Sequence, residues 1–300
     1  MFKNFDELVE RVKGYPSMKK MAIAVAADEH TLEAALSARE QGIVAPVLIG
    51  DKEAIKNILT KFSSEIPDED IYDITEEAEA CEFAVKLVRE GKADFLMKGK
   101  VDTKIILKAV VNKENGLGKG GVMSHFTIFE VPTYHKMLVA VDGGMVTYPT
   151  LEQKKAIIEN TVSTLRDMGY DCPKVGVLAC AEKVNPQMPE TVEADQLAQM
   201  NRDGRIVNCI VEGPISYDCA MDKSIADFKG LKSKISGDVD ILVAPNIHAG
   251  NIMGKMLTVT CKAKMAGFIV GARCPIVLTS RGSSAAEKYL SIVVSAAAAN

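Results

Sequence analysis

Short apolar runs alternate with longer amphipathic stretches through the first third of the chain. The apolar runs are residues 21–27, 45–49 and 94–97, and the stretches with helical spacing are 29–41, 52–62 and 76–90. Apolar runs of this length are typical of buried strands, and the spacing between them predicts helices. A repeated strand–helix–strand order predicts a mostly parallel sheet.

The pattern changes after residue 121. Two β-rich runs, Thr127–Val131 and Met137–Val141, flank the turn-forming Pro132 and Thr133, which predicts a hairpin. A long helix begins at Pro149–Thr150. Alternation then resumes in a second lobe, with strands predicted near residues 175–179, 206–211, 241–244 and 268–270. The final strand (276–279) and helix (about 284–298) fit either lobe.

Composition adds limits on size, partners and location. A chain of 300 residues with 47% hydrophobic content is large enough for two α/β domains. The formal net charge is −4 and the basic residues are dispersed, which argues against a nucleic-acid partner. The charged N-terminal segment and the short final apolar run argue against a membrane anchor. Seven cysteines, none in a CxxC pair, indicate a reducing compartment, and we expect a cytoplasmic protein.

Two features of the sequence resemble a cofactor site or a metal site, and we interpret both differently. The sequence GLGKGG at Gly116–Gly121 has the spacing of a dinucleotide loop, but a polar helix end precedes it instead of a strand. We interpret it as a helix C-cap followed by a loop. The four histidines lack the spacing of a local metal site, so we expect no metal.

Polar residues follow two of the predicted strands in the first lobe. Asp28 and His30 follow the first strand, where Asp28 suits a helix N-cap or a position at the edge of a site. Lys98 and Lys100 follow a later strand, with Thr103 beginning a helical turn and Gly99 allowing a ligand close to the backbone. These lysines fit either a phosphate-binding loop or a solvated one.

The segment from Ser280 to Ser284 joins an apolar strand directly to a helix. Such a join favours anions, because free backbone N–H groups point outward and Arg281 can hold phosphate through a bidentate fork. The same residues also fit an ordinary turn, with Ser284 and Glu287 forming a capping box. The local sequence fits both interpretations equally well.

Six motifs in order along the chain resemble the phosphate acetyl/butyryltransferase family, especially its phosphate butyryltransferase branch. They are LMKGKVDT (96–103), MSHF (123–126), YPTLEQKKAII (148–158), KVNPQMPETVEA (183–194), HAGNIMGK (248–255) and LTSRGSSAAEK (278–288). The resemblance implies a two-lobed α/β fold with mostly parallel sheets, similar to isocitrate and isopropylmalate dehydrogenases. It also implies domains at 1–140 plus 275–300 and at 141–274, with the active-site cleft between them.

The family moves an acyl group reversibly between coenzyme A and phosphate, by direct attack of thiolate or phosphate on the acyl carbonyl. The resemblance therefore implies a short acyl group, with butyryl favoured, and acyl-CoA and phosphate as substrates. Coenzyme A is a substrate, and no other cofactor or metal is expected. We also expect a homo-oligomer.

The same resemblance assigns site residues. Ser280 and Arg281 match a pair implicated in orienting the carbonyl and binding phosphate, and Glu287 matches the acid thought to take the thiol proton. Asn251 and Lys255, four residues apart on one helix face, are placed to reach the same cleft. The expected substrate-binding residues are Lys98, Lys100, Thr103, Ser124, His125, Asn246, Asn251 and Lys255.

Three departures from the branch pattern leave alternatives open. Glu212 and Asn246 stand where the branch usually has aspartates, and Gly143-Gly144 replaces two alanines. A changed pocket would alter substrate preference or rate. The alternative functions are a catalytically altered CoA or acyl-CoA binding protein and a dehydrogenase of the same fold, although a dehydrogenase needs a metal-binding aspartate cluster and a nucleotide loop.

Overall fold

The computed structural model describes residues 1–280 and 282–299. They divide into two compact units. The first unit comprises Phe5–Gly121 and Ala266–Asn300, and the second comprises Met1–Asn4 and Val122–Met265. Each unit contains its own set of strands, with helices around them.

The first unit contains six strands, which run parallel apart from one. Its strands are β1 (Lys19–Ala24), β2 (Val44–Gly50), β3 (Ile71–Asp73), β4 (Phe95–Lys98), β10 (Lys264–Val270) and β11 (Ile276–Val277). Its helices are α1 (Phe5–Lys13), α2 (Glu29–Glu40), α3 (Lys52–Lys61), a 3₁₀ turn (Asp68–Asp70), α4 (Glu77–Arg89), α5 (Thr103–Val110) and α11 (Ala285–Ala298). The strand order is β3-β2-β1-β4-β11-β10, and β10 runs antiparallel to β11.

The second unit contains five strands and five helices. The strands are β5 (Ser124–Glu130), β6 (Leu138–Val141), β7 (Lys174–Leu178), β8 (Ile210–Ile215) and β9 (Ile241–Val243). The helices are α6 (Leu151–Asp167), α7 (Pro189–Arg202), α8 (Tyr217–Met221), α9 (Lys223–Phe228) and α10 (Ile247–Val259). In the order β5-β6-β9-β7-β8, only the β5–β6 hairpin is antiparallel. The mixed α/β class with mostly parallel sheets is confirmed.

The boundaries of the two units differ from the expected ones at 140 and 274. The division falls after Gly121 and after Met265. The hairpin goes with the second unit because β6 pairs with β9. The strand predicted near 268–270 was assigned to the second lobe, but it is part of β10, which pairs with β11 in the first unit. β11 in turn pairs with β4, far earlier in the chain, and a partner at that distance cannot be read from local periodicity.

Burial follows the strand patterns in both units. In the first, β1 and β4 contribute Ile23, Phe95 and Met97, none of which is exposed. In the second, a cluster including Phe129, Leu138, Leu242 and Leu257 packs β5, β6, β9 and α10 together. Within residues 1–280 and 282–299, no helix is both long and apolar enough to cross a membrane.

Candidate functional site

Three parallel strands of the first unit end side by side at the same edge of its sheet. β4 lies between β1 and β11 and is parallel to both. In such sheets, loops after the carboxyl ends of the strands build ligand sites. Here those loops carry Asp28 after β1, Lys98 and Lys100 at β4, and Ser280 after β11.

The turn after β11 is held by its own serines. Ser280 is exposed, its Oγ accepts a 3.3 Å hydrogen bond from the Gly282 N–H, and its carbonyl accepts one of 3.1 Å from the Ser283 N–H. The turn leads directly into α11. Arg281, the predicted phosphate ligand, lies outside the described residues.

The first turn of α11 contains the predicted capping box. The Glu287 N–H donates to Ser284 Oγ, and the Ser284 N–H donates to Glu287 Oε2, both at 3.2 Å. Glu287 is partly exposed. The interpretation of Glu287 as a cap is therefore confirmed in geometry. A second carboxylate oxygen, Oε1, belongs to the same side chain, so a capping bond through Oε2 does not exclude a further role.

A buried lysine next to Glu287 was missed by the sequence analysis. Lys288 is 5% exposed, and its ammonium donates to Thr31 Oγ1 (3.2 Å) and Thr279 Oγ1 (3.3 Å) and lies 3.6 Å from Asp28 Oδ2. These contacts tie α11 to the start of α2 and to the residue before Ser280. The helical spacing of α11 could have revealed its burial, because Lys288 lies on the same buried face of the helix as Ile292.

Asp28 is the N-cap of α2, as one interpretation predicted. Its Oδ2 accepts hydrogen bonds from the Thr31 backbone N–H (2.9 Å) and from the Thr31 hydroxyl. Burial acts to raise the pKa of Asp28, but the hydrogen bonds from Thr31 and the charge of Lys288 outweigh it and lower the pKa. Asp28 therefore faces Lys288 as an anion at neutral pH.

The loop after β4 is packed more tightly than the sequence suggested. Lys98 is 4% exposed, and its ammonium donates to the carbonyls of Gly99 (3.3 Å) and Val101 (3.1 Å). A Cβ on Gly99 would lie 2.1 Å from the Val25 carbonyl oxygen, so glycine is required by strand packing rather than by a ligand. Lys100 and Thr103 are exposed at the same edge, and Thr103 is the first residue of α5.

In the second unit, a buried carboxylate organises the loop after β6. Asp142 is 3% exposed and accepts four backbone N–H bonds, from His125 (3.0 Å), Gly144 (2.7 Å), Met145 (2.9 Å) and Val146 (3.2 Å). These bonds hold the loop in one shape and attach it to β5. Sequence reasoning missed Asp142, because its partners are backbone groups that leave no residue pattern.

His125 lies over this loop. Its Nδ1 is 3.0 Å from Thr127 Oγ1, and a Cβ on Gly144 would lie 3.0 Å from the same nitrogen. Burial lowers the pKa of His125, and the negative charge of Asp142 opposes this only in part. His125 is therefore a neutral imidazole at pH 7. Ser124 points to the opposite face of β5, is fully buried, and its Oγ has no partner among the described residues.

Helix α10 begins beside the Asp142 loop. Asn246 caps it by accepting the Ala249 N–H (3.1 Å), and Asn251 Nδ2 donates to the Gly143 carbonyl (3.1 Å). A Cβ on Gly250 would lie 2.5 Å from the Asp142 carbonyl oxygen, so helix and loop touch through backbone atoms. Lys255 is exposed one turn after Asn251. The structure thus brings Asn246, Asn251 and His125 to the same loop.

Two other features from the sequence have structural explanations. Glu212 lies within β8 and accepts the Ser233 hydroxyl (2.5 Å) and the Lys234 N–H (2.9 Å), which ties down that segment. In the glycine-rich loop, a Cβ on Gly116 would lie 2.3 Å from the Val110 carbonyl oxygen. The helix α5 precedes that loop and the strand β5 follows it. A dinucleotide loop needs the opposite order, with a strand before it and a helix after it.

One group of possible metal ligands occurs among the described residues, and a lysine already contacts it. Glu182, Asp218 and Cys219 place ligand atoms within 4.8 Å of one another. The Lys229 ammonium lies 3.0 Å from Glu182 and 2.9 Å from Asp218. The Ser216 hydroxyl lies within hydrogen-bond distance of both carboxylates and has one hydrogen to share between them. The lysine balances part of the negative charge, and the cluster is an ion pair network that ties α8 and α9 to the loop after β7.

Comparison with known proteins now adds to this geometry. Residues 69–296 match the model of the family described as phosphate acetyl/butaryl transferase. The chain is 42% identical to phosphate butyryltransferase of Clostridium beijerinckii, over 99% of this chain and 98% of that protein. It is 40% identical to phosphate acetyltransferase of Thermotoga maritima, over 97% and 98%.

Solved structures agree. A branched-chain phosphotransacylase from Enterococcus faecalis superposes with a TM-score of 0.82 at 30% identity, covering 94% of this chain and 99% of that one. A 4-hydroxythreonine-4-phosphate dehydrogenase from Salmonella typhimurium, at 13% identity, has a TM-score of 0.59 with 94% and 100% coverage, which shows a shared fold alone. On the family match and the full-length identities, the chain belongs to the phosphate acetyl/butaryl transferase family.

Proposed function

We propose that this protein transfers a short acyl group, with butyryl favoured, reversibly between coenzyme A and inorganic phosphate. The observation that carries the proposal is the 42% identity over 99% of the chain to a protein named phosphate butyryltransferase. The acetyltransferase of Thermotoga maritima is nearly as similar, at 40%, so the acyl length is the finer part of the proposal. Coenzyme A is a substrate here, and the reaction uses no metal.

In the first unit, Ser280, Arg281 and Glu287 are proposed to carry the chemistry. Arg281 binds phosphate and steadies negative charge on the acyl oxygen, which fixed donors in a dry site do better than water. Ser280 orients the carbonyl, and its exposed position after β11 supports this role. Glu287 takes the thiol proton. Its partial exposure supports access, although its Oε2 also caps α11.

The other proposed substrate contacts differ in how well the geometry supports them. Lys100 and Thr103 are exposed at a strand-end edge, which supports a role in binding the anionic substrates. Lys98 and Ser124 are buried, and Lys98 is bonded to its own loop, so we propose that they support the site rather than touch substrate. His125, Asn246, Asn251 and Lys255 form the set in the second unit.

The test is release of free thiol from butyryl-CoA by the purified protein, with and without phosphate. Release is expected only when phosphate is present, and EDTA leaves it unchanged. Parallel assays with acetyl-CoA and propionyl-CoA measure chain-length preference, which is modest because each methylene is worth only about 1–3 kcal/mol. Inactivity on all three thioesters overturns the proposal, and a strict acetyl preference overturns its butyryl part.

We also propose a cytoplasmic homo-oligomer. All seven cysteines are free thiols, which supports a reducing compartment. Three apolar side chains on one face of α10 are exposed, which supports self-association: Ile252 (66%), Met256 (49%) and Val259 (67%). Light scattering tests this, and a strictly monomeric protein contradicts it.

A further inference from the structure

The strand face that carries His125 also carries a hydroxyl that bonds its ring. His125 and Thr127 are two residues apart on β5 and therefore point to the same side. Their side chains meet with 3.0 Å between Nδ1 and Oγ1. Thr127 is only 6% exposed, so water has little access to its hydroxyl.

The Thr127 hydroxyl has one hydrogen-bond partner among the described residues, and it is His125. If Nδ1 carried a hydrogen and donated to Oγ1, the hydroxyl hydrogen would be buried without an acceptor, which is costly. If the hydroxyl donates to Nδ1 instead, both groups are satisfied. A neutral imidazole carries one ring hydrogen, so the second arrangement places that hydrogen on Nε2.

The residues around His125 fix the orientation of its ring as well as the position of the ring hydrogen. Asp142 accepts the His125 backbone N–H rather than a ring N–H, so no carboxylate of the described residues bonds Nδ1 and favours a hydrogen there. The absence of a side chain on Gly144 makes room for the Nδ1 side of the ring. Nε2, on the other side, makes no hydrogen bond with the described residues.

We propose that His125 is a neutral hydrogen-bond donor, held in its Nε2–H form by Thr127, and that it donates to the carbonyl oxygen of the acyl group during transfer. This inference rests on the proposed acyl transfer. It excludes His125 as the base that takes the thiol proton, because its Nδ1 lone pair is already bonded and its Nε2 carries a hydrogen.

The acyl transfer needs no proton transfer to or from His125. A phosphate oxygen bonds to the acyl carbon, and the carbonyl electron pair moves onto oxygen, where Nε2–H stabilises the charge. The pair then re-forms the carbonyl as the carbon–sulfur bond breaks and coenzyme A leaves as thiolate. In the reverse direction the thiolate attacks and phosphate leaves, with the same donor in place.

The first test reads the tautomer directly. Nitrogen NMR of the full-length protein labelled at histidine distinguishes a protonated from an unprotonated ring nitrogen, and the His125→Gln variant identifies the signals of His125. We expect Nε2–H at pH 7 and a mixture of tautomers in Thr127→Val. An Nδ1–H ring or a cationic ring in the unaltered protein overturns the inference, whether or not the protein is active.

The second test separates a donor from a base. His125→Gln keeps an N–H donor but has no basic nitrogen, whereas His125→Leu has neither. We expect His125→Leu to lower kcat by about 10²–10³-fold, the usual effect of losing such a donor, and His125→Gln to retain clearly more activity. Equal losses in both variants favour a base and contradict the inference.

Thr127 is a positioning residue, and its variants complete the test. Thr127→Val is expected to lower kcat by up to about tenfold, the worth of one net hydrogen bond, with KM little changed, and Thr127→Ser is expected to restore it. Thr164→Val is the matched control, because it removes a similarly buried hydroxyl bonded to a helix carbonyl. If Thr127→Val and Thr164→Val have the same kcat, Thr127 does not position the ring. Absence of thiol release from the unaltered protein overturns the proposed function instead.

Discussion

The two groups of candidate residues are built in opposite ways. The first-unit group, Asp28, Ser280, Ser284, Glu287 and Lys288, is held together largely by bonds between charged or hydroxyl side chains and helix ends. In the second-unit group, by contrast, the Asp142 carboxylate bonds only backbone N–H groups among the described residues, and glycine backbones touch directly.

This difference predicts how each group responds to substitution. In the first-unit group, the sensitive property is the charge or donor number of a side chain, because each of these bonds has a polar side chain as its donor or its acceptor. In the second-unit group, the sensitive property is volume, because a backbone carbonyl or Cα cannot move aside cheaply. Substitutions in each group test this contrast.

The largest effect is expected at Glu287. Glu287→Gln keeps the size of the side chain and can still form the capping box, so we expect an unchanged Tm. It removes the carboxylate proposed as the base, so kcat should fall by about 10²–10⁴-fold. Steady-state kinetics and thermal unfolding measure both.

Glu287→Ala is the control for the capping role. It removes the cap as well, which costs about 1 kcal/mol and lowers Tm. If the glutamine variant keeps near-full activity and the alanine variant is merely less stable, Glu287 is a helix cap, and the thiol proton leaves by another route.

The next effect is expected at Arg281. Arg281→Lys keeps the charge but loses the planar fork that holds phosphate at two points. We expect kcat/KM to fall by about 10²–10³-fold with an unchanged Tm. Arg273→Lys, an exposed arginine of the same unit, is the matched control. Activity within twofold of the unaltered protein would mean that Arg281 does not bind the reacting groups.

In the second-unit group, a single methyl should be enough to disturb the structure. A Cβ on Gly250 would lie 2.5 Å from the Asp142 carbonyl oxygen and 2.9 Å from the Gly143 Cα. We therefore expect Gly250→Ala to lower the free energy of unfolding by about 1–3 kcal/mol and to lower activity with it. Thermal unfolding measures the first effect.

Gly254→Ala is the matched control on the same helix. Its Cβ would lie 3.4 Å from the edge of the Phe129 ring, an ordinary contact. Alanine is also the better helix former by about 0.5–1 kcal/mol, so this variant should be neutral or more stable. If the two alanine variants have the same stability, the second-unit group is not limited by volume.

Features of the fold with a local signal are predictable from the sequence. The capping box of Ser284 and Glu287 and the N-cap at Asp28 depend on residues within three positions of each other. Most strands were found because their apolar runs are buried on both faces. β8 was placed too early, near 206–211, since Ile206 is buried beside the end of α7 rather than in a strand.

The sequence could not show which residues far apart along the chain contact each other. Lys288 looks like any lysine on a helix until Thr31 and Asp28, more than 250 positions away, are placed around it. The importance of Asp142 depends on four backbone N–H groups, whose positions are a product of folding. The resemblance between motifs supplied His125 and Asn251 without giving their geometry.

A smaller effect is expected from the ion pair at Asp28. Asp28→Asn retains the N-cap but removes the charge beside Lys288, so we expect a loss of about 1–2 kcal/mol in the free energy of unfolding at pH 7. Because the pKa of Asp28 is lowered on folding, its contribution is present above the ordinary value of 3.8 and is lost as pH falls through the lower folded value.

Urea unfolding at pH 7 and at pH 3 measures this dependence. The gap between Asp28→Asn and the unaltered protein should shrink at the lower pH. Asp51→Asn is the matched control, since Asp51 caps α3 with a 2.9 Å bond from the Ala54 N–H and has no ion pair among the described residues. A gap that is equally large for both variants would mean that Lys288 does not depend on the charge of Asp28.

The smallest effect is expected at Asn246, where the second-unit group can be given a side-chain charge without a change in volume. Asn246→Asp keeps the oxygen that accepts the Ala249 N–H, and aspartate caps helices as well as asparagine does. A negative charge at the start of α10 is favourable by about 0.3–1 kcal/mol, so Tm should stay the same or rise slightly.

If Asn246 tunes the acyl pocket, the ratio of kcat/KM for butyryl-CoA to that for acetyl-CoA should change, rather than both rates together. Asn246→Ser, an uncharged cap, should leave that ratio unchanged. Identical ratios in all three proteins would show that Asn246 serves only to begin the helix.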